Sequence, residues 1–192
     1  MAEKQNAQAP IAPATRPQRA GAWSFPGRRT IMAASAVALG ALTVPSIARP
    51  DLRLVWNVSA SVPLGLYRIE PGSRPLVGDL AVVRPSPALA RLMADRHYVE
   101  QGALLVKPVA AVMGARICRQ SQAVTINGRQ RVSALDHDRF GRYLPRWSGC
   151  RTLSTAEYFL LAPDVPASFD SRYFGPVSGA DVIGRATPLC VW

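Results

Sequence analysis

The chain has 192 residues, 48% of them hydrophobic, with a mean hydropathy of +0.06 and a formal net charge of +11. That length accommodates one domain with a sizeable core and excludes a long multidomain array. Beyond residue 30 the arginines are scattered singly, with no dense cluster interleaved with aromatics, so an anionic membrane surface is favoured and nucleic acid is not expected as a partner.

Residues 1–27 are rich in Ala, Pro, Gln and Arg, lack hydrophobic periodicity, and read as a disordered basic tail. Arg28-Arg29 follows, then Thr30 to Ala48 without a charge. As a helix this uncharged run spans ~28 Å, close to the ~30 Å hydrocarbon core of a bilayer. Residues 28–48 are therefore expected to form a transmembrane anchor or uncleaved signal, with the basic tail in the cytoplasm. Two other readings stay open: a cleavable export signal, with Ser46 and Ala48 as the small residues before the cut, and a buried core helix. Either export reading puts residues 49–192 outside the cytoplasm.

The remainder reads mainly as strands. Leu66–Ile69 follows a Pro-Leu-Gly turn, and Asp79–Val83 is a short apolar strand. Ser86-Pro87 starts a helix of about ten residues, with serine as N-cap and proline in the first turn. Residues 103–113 are too continuously apolar for a half-exposed strand and predict a buried one. Ala123–Ile126, Asn127-Gly128 and Arg129–Val132 predict a hairpin, since Asn-Gly supplies the positive φ values of a tight turn. Residues 134–155 are polar and turn-rich and read as a surface excursion. Tyr158–Ala162 and Val182–Val191 predict the last strands. The expected class is mostly β with one short helix.

Lys107 is the only lysine apart from Lys4; every other basic side chain is arginine. Arginine can pair with carboxylates and solvate a face, but it does not give up its proton in a protein. A neutral amine acting as a base must be lysine, and Lys107 sits in the apolar run Ala103–Val109, which can desolvate it. The plain alternative is a surface lysine on a strand. His97 and His137 lie outside any nucleophile motif and read as surface residues. That leaves a Ser–Lys arrangement, with Ser59 and Ser61 as candidates on one side of an extended segment before the Pro63–Gly65 turn. An ordinary Ser/Pro/Gly loop explains those residues equally well. Cys118 and Cys150 are able to pair in an oxidising compartment, with buried free thiols as the alternative; no metal-ligand spacing is present.

Three blocks occur in order: Ser59-Ala60-Ser61-Val62-Pro63-Leu64-Gly65-Leu66-Tyr67, then Leu105-Val106-Lys107-Pro108-Val109-Ala110-Ala111-Val112-Met113-Gly114, then Ser168-Phe169-Asp170-Ser171-Arg172-Tyr173-Phe174-Gly175-Pro176. Together they resemble the signal-peptidase (S26) family of Ser–Lys proteases, in its TraF-like branch from conjugative transfer systems. The resemblance implies a coiled β-sheet peptidase domain over residues 49–192 in the periplasm, held at a bacterial inner membrane by a single span. It implies Ser61 as nucleophile, Lys107 as general base, Ser59 assisting the oxyanion hole and Ser168 orienting the amine. Asp170 and Arg172 match a structural ion pair, and Ser171 receives no catalytic role. No cofactor is implied. The implied substrate is an exported preprotein or pilin precursor, cleaved or cyclised, with membrane lipid and other conjugative-transfer proteins as partners. The competing class is a non-catalytic membrane-anchored β-domain serving as scaffold in an envelope complex. Three departures stand out: general signal peptidases have one more residue between serine and proline than Ser61-Val62-Pro63, Met113-Gly114-Ala115-Arg116 replaces their Pro-Gly-Asp turn, and Ala162–Pro166 replaces their Gly-Asp-Asn-Arg run.

Overall fold

The computed structural model describes residues 27–48 and 51–192, without the side chains of 42–48. Two units, Met1–Pro50 and Asp51–Trp192, are described separately. In the first, α1 (Arg28–Ala48) begins with the Thr30 and Ile31 N–H groups donating to the Gly27 carbonyl. Among the described residues no helix is long and apolar enough to cross a membrane. The expected helix is present, and a membrane span is not shown. The composition bears on this, because alanine, serine, threonine and glycine interrupt the larger apolar side chains of α1. The tail expected to be disordered lies, apart from Gly27, outside the described residues.

The second unit is mostly β. Its strands are β1 (Leu54–Asn57), β2 (Gly65–Pro71), β3 (Leu80–Val83), β4 (Leu105–Ala111), β5 (Arg116–Gln120), β6 (Ala123–Ile126), β7 (Arg129–Ser133), β8 (Gly149–Thr152), β9 (Glu157–Leu160), β10 (Val177–Ser178) and β11 (Val182–Val191). Helix α2 (Pro87–Asp95) follows β3, and the single turn α3 (Ser171–Phe174) precedes β10. A seven-stranded sheet runs β1-β2-β11-β3-β4-β9-β10, and a four-stranded sheet runs β7-β6-β5-β8. Every paired neighbour is antiparallel.

Both faces of the large sheet are covered at its centre. Val82 and Val106 join Val62, Tyr67, Ile69 and Ala186 on one face, while Ala81, Val83, Val109, Leu160 and Val177 cluster on the other. Two-sided burial is why β3 and β4 read as continuous apolar runs. A third cluster, including Ile117, Val124, Leu153 and Phe159, seals the small sheet. Ser86 caps α2 by accepting from the Leu89 N–H at 3.4 Å, with proline next. Asn127 and Gly128 carry positive φ in the β6–β7 hairpin.

Four strands escaped the sequence pattern: β1, β5, β8 and β10. In β5, Ile117 and Arg119 both point inward, and an inward arginine hides the alternation. β8 is exposed throughout and is recognisable only by its pairing with β5. Residues 134–155 are accordingly more than a surface excursion. They contain β8, and the Trp147 indole N–H donates to the Ser171 carbonyl at 3.0 Å. Cys118 and Cys150 face each other across β5 and β8 and are disulfide-bonded.

Candidate active site

The first block folds as a turn, not as the extended segment expected from its serine spacing. β1 ends at Asn57, and the chain bends through Ser59–Val62 before β2. Gly65 has φ +130°, and a Cβ there would lie 2.1 Å from the Cys190 carbonyl oxygen, so only glycine allows β2 and β11 to meet at this point. The Tyr67 hydroxyl donates to the Pro63 carbonyl at 2.7 Å and ties the end of the turn to the strand. Ser59 and Ser61 both line the adjoining cleft, in different roles. The Ser59 hydroxyl donates to Asn57 Oδ1 at 3.2 Å, whereas the Ser61 hydroxyl turns toward Lys107.

Lys107 lies in mid-β4, paired with Ala81 of β3, on the face carrying Val109 and Leu160. It is only 2% exposed. Its amine donates to Ser61 Oγ and, at 3.3 Å, to Ser168 Oγ. The two hydroxyl oxygens are 3.0 Å apart, so the three groups close a triangle. Burial pulls the amine down from its ordinary 10.5 to about 8; the Asp170 carboxylate partly opposes this, and the Arg172 cation adds to it. The amine can therefore be neutral near physiological pH, which arginine cannot.

The third block is a rigid support behind the triangle. Asp170 Oδ1 and Oδ2 accept from Arg172 Nε and Nη2 at 2.8 and 2.9 Å, with both side chains at no more than 1% exposure. The remaining guanidinium donors go to the carbonyls of Ala162, Val165 and Pro166, and Asp170 also accepts the Ala162 N–H. Ser171 Oγ accepts the Leu160 N–H at 3.0 Å, fixing the block to β9. The block is thereby locked to the loop just before Ser168.

The triangle opens on a cleft of about 340 Å³ whose walls include Met93, Tyr98, Leu135, Leu144, Phe169 and Tyr173. One of its walls was not anticipated from sequence. Asp138 accepts the Tyr98 hydroxyl at 2.7 Å and the Arg142 guanidinium at 2.7 Å, which brings His137, Asp138 and Arg139 to the rim. His137 is exposed and packs against Tyr143; His97 is exposed as well. The other missed residue is Asn57, which the sequence offered only as a polar residue at a strand end. Among the described residues no cluster of three or more His, Cys, Asp or Glu could hold a metal ion.

Comparison with known proteins bears on the family of the chain. The family model described as "Signal peptidase, peptidase S26" matches residues 28–192. The chain is 36% identical over 167 residues to the conjugal transfer protein TraF of Agrobacterium tumefaciens (strain 15955), covering 81% of this chain and 90% of that one. It is 32% identical over 168 residues to the probable conjugal transfer protein TraF of Sinorhizobium fredii (strain NBRC 101917 / NGR234), covering 80% and 89%. A plasmid transfer protein TraF of Escherichia coli is 32% identical over 148 residues, covering 71% and 82%. Among solved structures, a signal peptidase I of Enterococcus faecalis V583 is 22% identical, with a TM-score of 0.36 over 60% of this chain and 98% of that one. With a family match running from Arg28 to the last residue and relatives covered over most of their length, the chain belongs to the signal peptidase family, peptidase S26.

Proposed function

We propose that the protein is a serine endopeptidase in which Ser61 is the nucleophile and Lys107 the general base. The observation that carries this reading is the buried Lys107 amine held between the Ser61 and Ser168 hydroxyls. As Ser61 Oγ bonds to the scissile carbonyl carbon, its proton passes to neutral Lys107 Nζ. The C–N bond then breaks, and the Lys107 ammonium gives the proton to the leaving amine. An acyl ester remains on Ser61. Water deprotonated by Lys107 releases it by hydrolysis; a substrate amine in place of water forms a new peptide bond. The Ser61 N–H donates to no acceptor among the described residues and faces the oxyanion together with the Ser59 hydroxyl, once that turns away from Asn57. Ser168 orients the amine, and Asp170 with Arg172 holds Ser168 in place.

The kinship with conjugal transfer proteins supports an exported preprotein or pilin precursor as substrate and other conjugative-transfer proteins as partners. The same reading has Arg28–Ala48 holding the chain at the bacterial inner membrane, with the peptidase domain in the periplasm. Its support is the uncharged run Thr30–Ala48 behind Arg28-Arg29, and a disulfide of the kind that persists in oxidising compartments.

The test is incubation of the full chain in detergent with a serine-reactive acylating probe and with candidate precursors, followed by product mass. Labelling that requires both Ser61 and Lys107 supports the enzyme. Well-folded protein that never labels favours the non-catalytic scaffold. A product one water lighter than its linear form identifies cyclisation.

A further inference from the structure

Asn57, the last residue of β1, is buried at 4% exposure, and all its side-chain hydrogen bonds go to the turn that follows. Its Nδ2 donates to the carbonyls of Ser59, Val62 and Pro63 at 2.9, 3.2 and 3.0 Å. Its Oδ1 accepts both the Ser59 N–H and the Ser59 hydroxyl at 3.2 Å. Besides this amide, the turn is tied by the Tyr67 hydroxyl at the Pro63 carbonyl and by Ser61 Oγ against Lys107 and Ser168. Burying an amide is costly unless its groups are paired, and here the two Nδ2 hydrogens are shared among three carbonyls of a single turn while Oδ1 takes the Ser59 N–H and hydroxyl.

We propose that Asn57 is a positioning residue for the nucleophile: it fixes the Ser59–Pro63 turn so that Ser61 Oγ meets the Lys107 amine, and it parks the Ser59 hydroxyl beside the oxyanion site. This rests on the Ser–Lys reading given above. The side chain touches neither Lys107 nor the place of the scissile carbonyl, so its effect passes through Ser61 and Ser59. Misplacing a reacting atom by about 1 Å can cost on the order of a hundredfold in rate. A displaced turn also admits water to the Lys107 amine. The charged groups acting on that amine, Asp170 and Arg172, belong to the third block and stay in place, and Tyr98, His137, Asp138, Arg139 and Tyr173 line the same cleft. Loss of Asn57 therefore raises the pH at which the base becomes active. Simple loss of stability would lower the amount of active protein without moving that midpoint.

The experiment measures first-order acylation of the full chain in detergent by the p-nitrophenyl ester of an acetylated alanine dipeptide, as a function of pH, beside thermal unfolding. Two variants are used. Asn57→Ala removes every contact; Asn57→Asp is isosteric, keeps the Oδ1 contacts to Ser59 and loses the Nδ2 donations. The expected result is folded protein acylated roughly tenfold or more slowly, with the midpoint moved up from about 8 toward 10.5. A folded variant with wild-type rate and midpoint overturns the role of Asn57 and leaves the Ser–Lys reading intact. So does a failure of both variants to fold, which would assign Asn57 to the fold alone. Wild-type protein that is never acylated through Ser61 overturns both.

Discussion

The Oγ atoms of Ser61 and Ser168 stand 3.0 Å apart, and the amine of Lys107 bonds to both. One hydroxyl is presented by a turn at the sheet edge and the other by the loop ahead of the Asp170–Arg172 pair, so the lysine is where two separate supports converge. Replacing it tests the base directly. Lys107→Arg keeps a cation and loses the neutral state, so substrate cleavage is expected to fall to background. Ser168→Ala leaves Lys107 and Ser61 in contact but frees the amine to rotate, and a loss of about ten- to a hundredfold in kcat is expected. Ser61→Ala is expected to abolish turnover and Ser59→Ala only to reduce it. Steady-state kinetics on one precursor peptide distinguishes these outcomes, and an Arg variant at wild-type rate would remove the mechanism.

The pH dependence has a definite sign. The active form of Lys107 is the neutral amine, and burial sets its pKa at about 8. Below that value the neutral fraction falls about tenfold per pH unit, so kcat/KM is expected to climb with that slope and level off above it. An unperturbed lysine would give a profile still rising past pH 10. A pH–rate curve from 6 to 10.5 on stable protein separates the two.

The Asp170–Arg172 pair is the structural keystone of the third block. Asp170→Ala leaves a guanidinium at 1% exposure without its counter-charge, and Arg172→Ala leaves a carboxylate equally buried. Each is expected to cost about 3–5 kcal/mol, the usual result of orphaning one member of a buried pair. Ser171→Ala removes only the acceptor of the Leu160 N–H, and about 1–3 kcal/mol is expected. Urea unfolding gives all three values on one scale.

The sequence made the centre of the site legible and left its surroundings obscure, for a physical reason. Lys107 stood out because the chain otherwise uses arginine, and because the apolar residues around it form a strand buried on both faces. The Asn127-Gly128 hairpin and the Ser86 cap were legible because each rests on local backbone chemistry. β5 and β8 were not, since Arg119 turns inward to the carbonyls of Pro145 and Arg172, and β8 has no buried face at all. The role of Asn57 and the clamp of Asp138 on Tyr98 depend on partners chosen by the fold. Asn57 holds a turn of its own neighbours, but only after that turn bends; Asp138 reaches 40 residues back. Composition carries no trace of either.

Gly65 is predicted to tolerate no side chain. A Cβ there would sit 2.1 Å from the Cys190 carbonyl oxygen, and its φ of +130° is one that L-residues rarely adopt. Neither obstacle is a flexible side chain, so relief requires β2 and β11 to separate next to the nucleophile turn. Gly65→Ala is expected to lower both the melting temperature and the acylation rate. Gly128→Ala, in the distant β6–β7 hairpin with open space around it, is expected to cost stability alone.

The lysine that makes catalysis possible should also weaken the fold below its unfolded pKa, in a way that pH exposes. Folding lowers the Lys107 pKa from 10.5 to about 8. Between those values the unfolded chain holds a proton that the folded chain has released, so stability rises with pH. Above 10.5 both states are neutral and Lys107 contributes no penalty; as pH falls through about 8 the folded amine must be protonated in its buried site, and the penalty is complete. Lys107→Met fills a similar volume without a charge and leaves Ser61 and Ser168 bonded to each other. It is expected to be inactive, more stable than wild type at pH 7, and free of this stability increment between pH 8 and 10.5. Chemical unfolding of both proteins at pH 7, 9 and 10.5 measures the difference. A Lys107→Met variant whose stability follows the wild-type pH curve would mean that the amine is not desolvated in the folded protein, and would remove the physical basis for its action as a base.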